Sequence, residues 1–123
     1  NIIFKFMKNL FTLKNLGWFL SGLVSLMVIM SGTNKVIGTA DMVNTFASIN
    51  LSSSLIYVGL AEIVCAFLLM YPRTSVYGAL GISTIMAGAA AIHLSYMGGA
   101  GIVVPILLGL IGWSGHCLRT YTK

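Results

Sequence analysis

Acidic residues are almost absent from this chain: Asp41 and Glu62 are the only two in 123 residues. Seven Lys and Arg stand against them, and charged residues make up just 7% of the sequence. An average soluble domain is about 25% charged. Charge this sparse excludes a soluble globular domain. A hydrophobic content of 58% excludes a disordered one. The two cysteines, Cys65 and Cys117, form no C-x-x-C, which argues against quinone-coupled thiol–disulfide exchange. No phosphate-binding G-x-x-x-x-G-K-[ST] loop, no H-E-x-x-H and no Cys/His zinc spacing occurs. Two acids and two scattered histidines do not supply a nucleophile–base–acid set.

What the chain does have is long uncharged runs. A spanning helix needs roughly 20 mostly apolar residues. No charge lies between Lys14 and Lys35, and Glu62 is alone inside the run that ends at Tyr71-Pro72-Arg73. Residues 74–118 carry no charge at all, about twice the length of one span. That run must fold back, and Gly98-Gly99-Ala100-Gly101 is the hinge. The expectation is an all-α polytopic membrane protein, a single domain over residues 1–123. It would be a four-helix up-down transmembrane bundle with spans at about 16–34, 52–71, 76–97 and 101–118. The runs are continuous rather than alternating, so a transmembrane β-barrel is excluded. The first run is too long for the apolar core of a signal peptide and reads as a span.

Placing the N-terminus in the cytoplasm puts Lys5, Lys8, Lys14, Arg73, Arg119 and Lys123 inside and leaves Lys35 alone outside. The bacterial cytoplasmic (inner) membrane is the expected location, with both termini cytoplasmic. The first loop holds a helix start, with Thr39 as cap and Asp41 in the first turn. Met42, Val43, Phe46 and Ile49 then share one face, the pattern of a short interfacial helix at about 40–49. The segment Ile2-Ile3-Phe4-Lys5-Phe6-Met7-Lys8, continuing to Leu10-Phe11, lies on the inner surface or meets a partner subunit. Dispersed basic residues on that side fit anionic lipid, and nothing suggests nucleic acid.

Small residues mark where membrane helices approach each other. Ala79, Ser83, Ala87 and Ala91 make such a stripe on the third span. Gly101, Gly109, Gly112 and Gly115 mark the fourth. Pro105 falls early in that span, where a missing backbone donor costs least.

Glu62 is the most informative residue. It lies ten positions into the second span, about 15 Å along the helix. A carboxylate there is expensive and needs a partner. Two readings stay open: a proton-accepting or ligand-orienting carboxylate, or a structural ion pair or hydrogen-bonded acid. Lys35 is the natural partner, with a surface pair to Asp41 as the alternative. His93 either joins Lys35 and Glu62 in one outer-half polar site or bonds a backbone carbonyl or Ser95. Tyr57 is placed to line the same pocket. His93 and His116 lie near opposite surfaces and cannot ligate one iron, and no metal site is expected. Cys65 and Cys117 read as packing residues.

Four pieces, taken in order, resemble the DoxX and DoxX-like family of small four-helix membrane proteins. They are Gly32-Thr33-Asn34-Lys35, Gly59-Leu60-Ala61-Glu62, Tyr71-Pro72-Arg73 before Gly78-Ala79, and Ala90-Ala91-Ile92-His93-Leu94. The likeness covers roughly residues 16–118. It implies that Lys35 and Glu62 occupy the family's recurring G-x-x-K and G-x-x-E positions. Some relatives are described as membrane subunits of quinone-linked oxidoreductases, including thiosulfate oxidation. Ile63-Val64-Cys65 departs from the glycine-rich pattern that often follows the glutamate, and with it from thiosulfate chemistry.

The expected role is a small integral subunit of a larger membrane complex, not catalytic by itself. The resemblance implies a redox, quinone-linked complex. No cofactor is evident from the residues, and a quinone enters only through the resemblance. The alternative is a self-sufficient quinone- or lipid-binding protein using Lys35, Glu62, His93 and Tyr57. A proton-coupled transporter is a third reading. Membrane lipids and other subunits or further copies of the chain are the expected partners.

Overall fold

A computed structural model describes residues 1–10, 12–96, 98, 99 and 101–121. Phe11, Met97, Ala100, Thr122 and Lys123 lie outside the described residues. With them go the alanine of the expected hinge, the last residue of the third expected span and the terminal lysine.

The described residues form helices α1 (Ile2–Leu10), α2 (Leu13–Ile37), α3 (Ala40–Ser48), α4 (Leu55–Met70), α5 (Ser75–Tyr96) and α6 (Val103–Tyr121). A short 3₁₀ turn, Ser52–Ser54, leads into α4. Four of these segments are long and apolar enough to cross a membrane: α2, the turn with α4, α5 and α6.

Local chemistry sets the ends. Thr12 accepts the Asn15 amide in its side chain and starts α2. Gly38, left-handed at φ 78°, stops it by donating to the Asn34 carbonyl, so α2 runs past the expected 16–34 at both ends. Thr39 occupies the N-cap of α3, but its side chain makes no capping bond. The α5–α6 hinge uses positive φ at Gly98, Gly99 and Gly101, which only glycine adopts cheaply. This turn takes up residues 101 and 102, so α6 starts and ends later than the expected 101–118.

The spanning helices form a square. α2 packs against α4 and α6, and α5 closes the opposite corner against both. The core is small: Val24, Val28, Ala66, Leu69, Ala79, Ile82, Met86 and Leu108. Around it Ser21, Ser25, Lys35, Glu62, Ser75, His116 and Arg119 are also buried. Phe19, Leu26, Met30, Leu60, Phe67, Leu80 and Leu110 point outward. Polar groups inside and large apolar ones outside are the arrangement lipid demands. The chain is an integral membrane protein, and the start of α2 and the end of α6 lie at the same end of the bundle.

The small-residue stripe of the third span is only half used inside. Ala79 is buried, but Ala87 and Ala91 are exposed. The face that packs runs Ser75, Gly78, Ala79, Ile82, Met86, a spacing that turns the upper stripe outward.

Candidate functional site: a buried ion pair between two glycines

The α2–α4 seam is built on Gly32 and Gly59. A Cβ on Gly32 would lie 2.7 Å from the Gly59 carbonyl oxygen, and one on Gly59 would lie 2.7 Å from that of Gly32. Backbones this close leave room beside them for longer side chains. Lys35 stands over Gly59, whose missing Cβ would be 2.9 Å from the Lys35 Cβ. Glu62 stands beside Gly32 in the same way, at 3.3 Å.

In a helix each Cα–Cβ bond tilts toward the N-terminus. The two helices are antiparallel, so Lys35 and Glu62 lean toward each other. The Lys35 Nζ lies 2.9 Å from Glu62 Oε1 and donates to the Ser31 hydroxyl at 2.6 Å. Both residues are buried, at 8% and 2% exposure, so lysine reaches inward here rather than snorkelling to headgroups. Glu62 Oε2 is buried without a hydrogen-bond partner. Deeper in the seam, the Ser25 hydroxyl donates to the Ala66 carbonyl at 3.3 Å.

The other two expected members are not at the pair. Tyr57 is 74% exposed and faces outward. His93 is half-buried, and its Nδ1–H donates to the Ala89 carbonyl at 2.7 Å. Its ring sits over the α5–α6 turn, where a Cβ on Gly101 would be 3.4 Å away. Among the described residues, no group of three or more His, Cys, Asp and Glu is placed to hold a metal.

A second polar cluster closes the end that carries the termini. The Arg119 guanidinium lies 4.3 Å from the centre of the Trp18 ring and donates to the Leu69 carbonyl. The last carbonyls of α4 are thereby taken in turn: Phe67 by the Tyr71 amide, Leu68 by the Thr74 hydroxyl and Leu69 by Arg119. A cation at this negative helix end is favourable, and the indole face adds to it. Beside it, His116 Nδ1 and the Ser75 hydroxyl share a hydrogen bond of 2.8 Å. Trp113 and Tyr121 flank the imidazole edge-on at 6.0 and 6.1 Å. From the sequence, Arg119 is one more topology cation and His116 faces the cytoplasm; both are in fact buried. Their partners lie 41 and 50 positions away, and no local spacing signals them.

No curated protein and no solved structure matches the chain. The DoxX-like family model does, over residues 19–115, which takes in Gly32, Lys35, Gly59 and Glu62 and all four spans in whole or large part, and leaves Trp18, His116 and Arg119 of the second polar cluster outside. The chain belongs to the DoxX-like family.

Proposed function

We propose that the protein is a small integral subunit of a larger membrane complex and docks there through the lipid-facing seam of α5 and α6. The observation that carries this is a groove of about 290 Å³ along that seam. Ser83, Ala87 and Ala90 line it from α5, and Pro105 and Gly109 from α6, with Trp113 toward the terminal end. Lipid gives helices no hydrophobic drive to meet, so small residues that admit a close backbone do that work. A Cβ on Gly88 would touch nothing within 4 Å. Ser83 also carries a buried hydroxyl without a partner.

The class of assembly we propose, on the family resemblance, is a quinone-linked redox complex, with the chain a non-catalytic member. The cytoplasmic membrane of a bacterium, with both termini inside, fits the cations Lys5, Lys8, Lys14 and Arg73 on the terminal end.

Native gels after mild detergent extraction test the proposal. The wild-type chain should run in a band well above monomer. Ala87→Phe fills the groove from an exposed position, so it should release the free chain at an unchanged level. Leu80→Phe, exposed outside the groove, should leave the band intact. A wild-type chain that migrates only as monomer or homodimer would overturn it.

A second reading, a self-sufficient quinone- or lipid-binding protein, draws on Glu62 Oε2, a buried acceptor without a partner. In that reading Glu62→Gln and Lys35→Met abolish ligand binding while the bundle stays folded. Loss of the fold instead makes the pair structural.

A further inference from the structure

We infer that α1 is a docking element for an anionic membrane surface, held there by lysines as well as by its apolar face. On a helical projection Ile2, Phe6, Ile3 and Met7 fall within about 140° of arc. Lys5 and Lys8 fall on the opposite side, with Phe4 at the border. Among the described residues, no substantial packing seam joins α1 to the bundle. Ile2 is 88% exposed, and Ile3, Phe4 and Phe6 each more than 60%. A helix this short does not hold such a face in water by propensity alone. Its apolar side needs a cover.

Two observations choose the cover. The first is position. α1 ends at Leu10 and a spanning helix begins at Leu13, so α1 is tethered at the membrane–water boundary. The second is charge. Lys5, Lys8, Lys14 and Arg73 are all exposed at that end. The chain's two acids are elsewhere: Asp41 in α3 beyond the far end of α2, and Glu62 inside the bundle. Among the described residues, no acid pairs with these cations. Anionic headgroups do, and an amphipathic helix with a basic face and Phe and Ile opposite is the form that lies in such an interface. A second copy of α1 is a poorer cover, because it would bring like charges together.

The full-length protein, with Cys65→Ala and Cys117→Ala and a single reporter at Phe6→Cys, provides the test. It is reconstituted in phosphatidylcholine vesicles with or without phosphatidylglycerol, and the reporter is reacted with a membrane-impermeant maleimide. Phosphatidylglycerol should slow labelling, and raised salt should restore it. Adding Lys5→Gln and Lys8→Gln should lower the docked-to-free ratio about thirtyfold and remove the dependence on lipid charge. Equal labelling rates in the two lipids would overturn the inference.

Discussion

Lys35→Met destabilises the bundle by about 3–5 kcal/mol, the cost of leaving one buried charge without its partner. Glu62 has no way out. It sits within α4 at 2% exposure on a short side chain, and its second oxygen already lacks a partner. The reverse change, Glu62→Gln, costs less. Lys35 is two residues from the end of α2, and its long stem can turn outward to the headgroups once the carboxylate is gone. The double change Lys35→Met with Glu62→Leu recovers most of the loss, since a buried pair replaced by apolar groups is often neutral. Reversible unfolding in mixed micelles, followed by tryptophan fluorescence, measures all three. A double variant no more stable than Lys35→Met alone would show that the two residues are not coupled.

The second large effect separates glycines that look alike in the sequence. Gly17→Ala places a methyl against the Arg119 backbone amide, 2.8 Å from the Gly115 carbonyl oxygen and 2.9 Å from the Leu118 carbonyl carbon. Backbone cannot give way as a side chain can, so α2 and α6 must part. The cost is about 1–3 kcal/mol or more, and the Arg119–Trp18 contact loosens with it. Gly22→Ala, one and a half turns along the same helix, meets nothing within 4 Å. Helix propensity then favours alanine by about 0.5–1 kcal/mol. Opposite signs in the same unfolding measurement are the expected result. Equal losses at both positions would contradict the α2–α6 seam.

Much of this fold was legible because lipid is a severe solvent. It forces backbone hydrogen bonds inside helices and keeps charges out of spans, so uncharged runs mark the helices directly. The four spans follow from that rule, to within a few residues, and the short helix after Gly38 from its amphipathic pattern. The family was legible from Gly32-x-x-Lys35 and Gly59-x-x-Glu62. With only one acid inside a span, the candidates for its partner were few.

Rotation of the helices was not legible. A span apolar on every side carries little periodic signal to say which face turns inward. Tyr57 looked like a neighbour of Glu62 by distance along the helix, yet it points to lipid. Ala87 and Ala91 continue the stripe begun by Ala79, yet they leave the bundle. Arg119 counts as one more inside cation until α4 ends beside it and Trp18 covers it. The sequence by itself determined the number of spans, their alternating direction and the candidate charges, Glu62 and Lys35, because each is a matter of solvation along one chain. Only the tertiary structure decided that Gly32 and Gly59 bring those charges to 2.9 Å, that His116 and Arg119 are buried, and that small residues of α5 and α6 leave an open groove. Those facts depend on which faces of separate helices touch, and backbone contact between residues as far apart as Gly32 and Gly59, or Gly17 and Arg119, leaves no local pattern to read.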